Sequence, residues 1–387
     1  MMEERFTRSH IIASEQPLIQ ERGVWLWLRI NLFATPLSAV LTILFSCLVV
    51  SILFPLMNWM LIDAVWTGSD RKVCATIAQG GIQPNEWRGA CWAFVKANFG
   101  QFIYGRYPES ERWRVNSMAI ILILINIPLL IPSCPYKIIN ALISLFIVPF
   151  IGYFLLIGGH FGLTRVDTQL WGGLLVTLTI AYTSITISLP LGSLFALGRR
   201  SRLPVIRFLS IIYIEIIRGI PLVAVLFVAS VMFPLFLPQG MTFDKLLRAL
   251  IGVALFTSAY IAEVIRGGLQ AIPRGQYEAA HSLGLGYFKT MFLIVLPQAY
   301  ALVIPGLINV LIGMFKETSL VYIIGMFDLL GVVRQAIQQA QWSTPQTPAT
   351  GMIFVGLIFW IFCFFMSRYA HFVEKTLNAS KNFDTKV

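Results

Sequence analysis

Long apolar runs alternate with short polar connections along most of this chain, and the runs are too long and too numerous for one water-surrounded core. Set against the roughly 20 residues a helix needs to cross a bilayer, they predict membrane helices near 36–61, 117–132, 137–158, 172–197, 208–236, 247–266, 292–314 and 351–372. The stretch 117–160 carries a single charge, Lys137. At about 1.5 Å per residue it is far longer than one crossing requires, so Pro132 and Pro135 are read as the break between two helices. The expected fold class is all-α: a polytopic membrane protein with about eight transmembrane helices.

Composition agrees: 57% of the 387 residues are apolar and 12% charged, which excludes a soluble globule. The 29 Lys and Arg against 18 Asp and Glu give +11, and the positions of the basic residues explain the excess without a nucleic-acid partner. With the N-terminus inside, sixteen basic residues fall in inner segments and five in short outer loops, with seven more in the long loop 63–116. Long translocated loops count little in this bias, so both termini are expected in the cytoplasm. The first thirty residues show no apolar stretch followed by a cleavage site, and the N-terminal segment is expected to stay in the mature chain.

The chain is read as a cytoplasmic segment 1–35, accessory helices 36–160 with the outer loop 63–116, a core 161–376 and a tail 377–387. Trp25 and Trp27, flanked by Arg22 and Arg29, suit an interfacial helix before the first crossing. Of the five cysteines, Cys47, Cys134 and Cys363 lie in apolar runs, where a thiol behaves as a small hydrophobe. Cys74 and Cys91 share the outer loop. A disulfide there would stabilise it by about 2–4 kcal/mol, and two buried free thiols are the alternative.

Charges inside a crossing are costly and seldom decorative. Glu215 and Arg218 lie three residues apart within 208–236, so on a helix they share a face and can neutralise each other, and Gly219 and Pro221 follow at a natural point for irregular backbone. The polar run Lys316, Glu317, Thr318 and Ser319 interrupts a second apolar stretch. Discontinuous segments of this kind surround substrate pathways in transporters, which makes these six residues the candidate pathway. An ion pair locking two helices, or a dipping outer loop, would read the same.

Residues 263–300, on the cytoplasmic side, are too polar to span and too patterned for a linker. Pro273 and Gly275 end one helix, 276–283 favours a short one, and Gly284 and Gly286 permit a turn. Ala279 and Ala280 would let another protein approach closely, and Glu278 offers it a carboxylate.

At this point the residues resemble a known family. EAAHSLGLGYFKTMFLIVLP is similar to the EAA signature of ABC importer permeases, matched at Glu278, Ala279, Ala280, Gly284, Ile294, Leu296 and Pro297. The resemblance implies a five-helix permease core whose coupling loop, 267–291, docks a separate ATPase. The flanking YIEIIRGIPL, AYIAEVIRGGLQAIPRGQYEAA, LPQAYALVIPGLIN and FKETSLVYIIG resemble permeases of polar amino-acid importers over about 171–376. Ile220 and the pair Ala224 and Val225 depart from that pattern. The additional segments in 1–160 resemble the larger permease of general L-amino acid importers. That implies a bacterial inner membrane, two copies of an ATP-binding subunit carrying ATP and Mg, a second and related permease chain, a periplasmic amino-acid-binding protein, and no cofactor in this chain.

No G-x-x-x-x-G-K-[ST] occurs, so ATP is expected to be hydrolysed elsewhere. His10, His160, His281 and His371 are scattered, there is no H-E-x-x-H, C-x-x-C or G-x-S-x-G, and neither a metal site nor a serine nucleophile is expected. Two rival classes remain: a secondary transporter or channel, which has no use for an EAA loop, and a membrane enzyme using Glu215 or Glu263, which lacks a partner constellation.

Overall fold

A chain in hydrocarbon finds no water for its backbone groups, so each apolar run must satisfy them internally as helix. The computed structural model describes residues 24–131, 134, 136–238, 240–241 and 243–384. The expected break at Pro132 and Pro135 lies outside the described residues. Packing divides the chain into Met1–Ala64 and Val65–Val387.

In the first unit α1 (Val24–Leu32) precedes α2 (Pro36–Met57), whose helix runs on to Ile62. Thr35 caps α2, its Oγ1 accepting from the Ser38 amide at 3.2 Å, and Pro36 occupies the first turn, where a missing N–H costs nothing. None of α2 is buried by protein, so Leu37, Leu44, Phe45 and Phe54 are left to lipid. Trp25 and Trp27 are likewise exposed on α1.

The second unit begins with α3 (Trp92–Ala97) and α4 (Phe99–Tyr104), followed by α5 (Arg112–Leu130), α6 (Lys137–Leu142), α7 (Val148–Ile157), α8 (Gly173–Arg199), α9 (Pro204–Gly219) and α10 (Leu222–Phe227). It continues through α11 (Lys245–Ala271), α12 (Arg274–Ser282), α13 (Tyr287–Lys289), α14 (Leu296–Glu317), α15 (Leu329–Ile337) and α16 (Thr347–Asp384). Among the described residues of the chain, seven helices are long and apolar enough to cross a bilayer, and α9 with Leu222–Phe236 makes an eighth if counted as one span. That span, expected as a single run from 208, starts at Pro204 and bends by 106°. The cause is local: Pro221 has no amide to donate and pushes Ile220 into an extended conformation at φ −110°, ψ 137°.

α11 is the central helix, with Ala249, Val253, Ala259, Ile261, Ala262 and Leu269 at 0% exposure. α8 packs along it. At Gly192 the approach is so close that a Cβ would stand 2.5 Å from Ile261 and 2.9 Å from the Ser258 carbonyl, so small residues set the helix spacing as they do in membrane bundles generally.

The expected division near 160 does not coincide with a division of the packing. Phe94 and Phe102 of the segment 63–116 share an apolar cluster with Leu329, Val333, Trp342 and Phe354, and the Cys91 amide donates to Thr350 Oγ1 at 2.9 Å. Met118 and Val148 share another with Val176 and Val253. Within the helices, Ser144 Oγ lies 2.7 Å from Tyr182 Oη and 3.2 Å from Asn126 Oδ1, a polar clip joining α5, the turn before α7, and α8. Cys74 and Cys91 are joined by a disulfide with Cα atoms 5.7 Å apart, while Cys47, Cys134 and Cys363 are free. α5 starts earlier than its apolar run because the charge of buried Arg114 is paired there: it meets Glu111 at 2.7 Å and donates to the Thr164 carbonyl at 2.8 Å.

Asp328, fully buried, caps α15 by accepting from the Gly331 and Leu330 amides at 2.9 and 3.2 Å. Burial pushes its carboxyl from 3.8 to about 6, against the lowering pull of those amides and of Arg334. The folded protein therefore keeps a proton that the unfolded chain has already released, and stability is full below about pH 4 and falls until about pH 6. The difference amounts to about 3 kcal/mol. Asp328→Asn keeps a capping oxygen without the charge, so its apparent unfolding midpoint in detergent should change less than the parent's between pH 4 and 6.5. Identical profiles would refute that assignment.

Candidate functional site

Three groups of residues are the candidates for a functional site. The first is α12. Pro273 precedes it and Gly284 ends it at φ +73°, where the Leu285 amide reaches the Ala280 carbonyl at 3.1 Å and the Gly284 amide the His281 carbonyl at 2.9 Å. This is the paired hydrogen bonding of a Schellman turn, and glycine supplies the left-handed residue it needs. Glu278 and Ala279 are exposed, and Leu283 is 78% exposed. Ala280 corrects the expectation for it: at 1% exposure it faces its own chain. One helical step, about 100°, separates the two alanines, so only Ala279 is open to a partner. Two side-chain links anchor α12. Arg200 Nη1 donates to Tyr277 Oη at 3.2 Å and to the Leu269 carbonyl at 2.6 Å, and Gln298 Nε2 donates to Gln276 Oε1 at 3.1 Å.

The second group is a charge cluster. Glu215 and Arg218 do not neutralise each other. Glu215 pairs with Arg199 at 2.9 Å, while Glu263 is the hub, meeting Arg266 at 2.5 Å, Arg199 at 3.4 Å and Arg218 at 3.6 Å. Arg266 grips Glu263 with two nitrogens, the strong forked form of this interaction. The reason is geometric: the bundle brings α8, α9 and α11 together, and longer-range partners displace the i,i+3 pair within α9. Three guanidiniums against two carboxylates leave one positive charge in surplus among the described residues. Arg199 and Arg266 were not singled out in the sequence; the i,i+3 spacing of Glu263 and Arg266 was their visible signal.

The third group is a cavity of about 160 Å³ between α11 and α14, lined by Phe256, Thr257, Tyr260, Val310, Gly313, Met314 and Glu317. Glu317 makes no ion pair among the described residues. Thr257 is 2% exposed, and its Oγ1 has no hydrogen-bond partner there. Buried hydroxyls are normally satisfied, and this orphan belongs to a residue that lines the cavity together with a carboxylate. Arg218 lies 5.8 Å over the ring of Tyr260, which brings the charge cluster to the wall of this cavity.

The other residues of 316–319 turn away from it. Lys316 is exposed, Thr318 is fully buried with its hydroxyl bonded to the Phe315 carbonyl at 2.7 Å, and Ser319 bonds the Lys316 carbonyl at 2.9 Å. These bonds close the tight turn that continues α14, so both hydroxyls serve the backbone. No cluster of His, Cys, Asp or Glu suited to a metal occurs among the described residues.

Residues 188–378 match the family model described as a binding-protein-dependent transport system inner membrane component. The chain is 49% identical over 356 residues, 92% of its length and 93% of the relative's, to the inner membrane amino-acid ABC transporter permease protein YhdY of Escherichia coli K12. It is 35% identical, over 97% of its length and 99% of the relative's, to the glutamate/glutamine/aspartate/asparagine transport system permease protein BztC of Rhodobacter capsulatus. A crystal structure of an amino acid ABC transporter with histidines aligns at 31% identity and TM-score 0.47, covering 53% of this chain and 92% of that one. This chain therefore belongs to the family of binding-protein-dependent transport system inner membrane components, the permease subunits of ABC transporters.

Proposed function

We propose that the chain is the larger permease of an ATP-driven importer of L-amino acids with broad side-chain tolerance. The observation that carries this reading is the 49% identity, along nearly the whole of both chains, to a permease named for amino-acid transport. The α11–α14 cavity supports it. Glu317 and the Thr257 hydroxyl suit an ammonium group, the surplus positive charge of the Arg218 cluster suits a carboxylate, and a site that grasps those shared groups leaves the side chain free to vary. At about 160 Å³ the cavity is smaller than the roughly 300–1,000 Å³ of a complete small-molecule site. A second permease chain, related in sequence, would supply the rest.

In this reading α12, presenting Glu278, Ala279 and Leu283, docks one of two ATPase subunits, each holding ATP and Mg. Both termini and α12 lie in the cytoplasm. The disulfide-bonded segment 63–116 faces the periplasm, where a binding protein delivers the amino acid. The family match begins at residue 188 and ends at 378, which supports a core near 161–376 with residues 36–160 as an accessory to it. In proteoliposomes holding both permeases, the ATPase and the loaded binding protein, uptake of acidic, neutral and basic L-amino acids is expected to require ATP. Uptake driven by an ion gradient without ATP would refute the reading.

A further inference from the structure

We propose that Arg199 and Arg200, consecutive at the end of α8, are the transmission point between the coupling helix and the transport cavity: Arg200 holds α12, and Arg199 holds the two helices that carry the charge cluster. The inference rests on the docking of α12 to the ATPase and goes beyond it by naming the route along which docking is felt.

The geometry is economical. α8 ends at Arg199, and the next residue sends its guanidinium to the Leu269 carbonyl and to Tyr277 Oη of α12, whose ring it also overlies at 5.8 Å. Arg200 is the charged attachment of α12, beside the Gln276–Gln298 contact, buried Ala280 and the packing of Tyr277 against the cluster of Ile265 and Leu269. Arg199 meets Glu215 of α9 at 2.9 Å and Glu263 of α11 at 3.4 Å. Glu215 has no other ion-pair partner among the described residues, so Arg199 is the charged link of α9 to α8, beside the stacked rings of Phe195 and Tyr213.

α9 is built to respond. It ends at Gly219, where the 106° bend and the extended Ile220 interrupt the helical hydrogen bonding and allow it to pivot against α10. Arg218, one residue before the break, bridges Glu263 and overlies Tyr260 in the cavity wall. A displacement of α12 thus has a contiguous route through Tyr277, Arg200, Arg199, Glu215 and Arg218 to Tyr260. A double-mutant cycle measures the coupling along this route.

The experiment uses the assembled transporter and reads uptake per ATP hydrolysed, a ratio that loss of folded protein does not change. Arg200→Met is expected to lower the ratio about tenfold, a typical coupling magnitude, and Arg200→Lys, which can still donate to both oxygens, to restore part of it. Glu215→Gln should lower the ratio as well, and the double variant should be no worse than the poorer single one, since both break the same route. Should Arg200→Met fail to assemble, Tyr277→Phe removes one hydroxyl, leaves the ring in place and is read in the same way. Uptake and hydrolysis falling in proportion, or the effects of Arg200→Met and Glu215→Gln multiplying, would overturn the proposal. Failure of the docking reading is separable: it appears as normal ATPase retention and uptake in Glu278→Arg.

Discussion

Glu278→Arg is expected to reduce ATP-driven uptake by at least about tenfold while the chain still reaches the membrane at normal levels. Glu278 is exposed on α12 and takes part in no described ion pair, so its replacement leaves no buried charge behind and asks nothing of the fold. Any large effect must come from a partner. Truncating one member of a desolvated interfacial pair costs about 2–5 kcal/mol, and a reversed charge adds repulsion. Glu278→Ala should be milder and in the same direction. Gly284→Val separates shape from charge: a β-branched residue at φ +73° strains the turn that ends α12, although nothing lies within 4 Å of the new Cβ. Co-purification of the ATPase and uptake measured at matched expression check both. Normal docking and uptake in both variants would remove α12 from the coupling surface.

The spans were legible in the sequence because bilayer thickness fixes how long an apolar run must be, and the run lengths alone carry that information. The bend at 219–221 was legible too, since Pro221 takes an amide donor out of the helix and Gly219 beside it tolerates the bend. The hub at Glu263 was hidden for a definite reason. Its partners Arg199 and Arg218 lie 64 and 45 residues away in the chain, whereas spacing rules report only neighbours on one helix. Those rules joined Glu215 to Arg218, and the bundle joins each to something else. Ala279 and Ala280 show the same limit on a smaller scale: of two adjacent letters of one motif the first is exposed and the second is 1% exposed, and only the packing of α12 against residues 290–295 distinguishes them. Thr257 carried no signal at all, because a hydroxyl in an apolar helix usually bonds back to its own backbone.

Thr257→Val tests the cavity with an unusually clear sign. A hydroxyl that is buried without a partner contributes nothing to folding, and replacing it by a methyl of nearly the same shape should be neutral or stabilising. If the cavity is simply unfilled packing space, uptake by the Thr257→Val transporter is unchanged or improved. If Thr257 and Glu317 receive the ammonium end of an amino acid, the variant folds as well as the parent and its KM rises. Glu317→Gln then does more harm, because a hydrogen bond to a charged group is worth about 1.5–3 kcal/mol, which corresponds to roughly 10- to 100-fold in KM. Lys316→Met, changing an exposed side chain outside the cavity lining, is the internal comparison and should leave KM nearly unaltered. Replacing Glu215 and Arg218 together by apolar residues of similar size asks the corresponding question at the other end of the zwitterion, and their partners Arg199 and Glu263 still pair with each other. The surplus of one positive charge survives in Arg199 and Arg266 against Glu263, so a changed preference among acidic, neutral and basic amino acids would trace to the lost Arg218 guanidinium over Tyr260. Unchanged KM in both Thr257→Val and Glu317→Gln, at normal assembly with the ATPase, would move the substrate site out of this cavity and onto the partner chain.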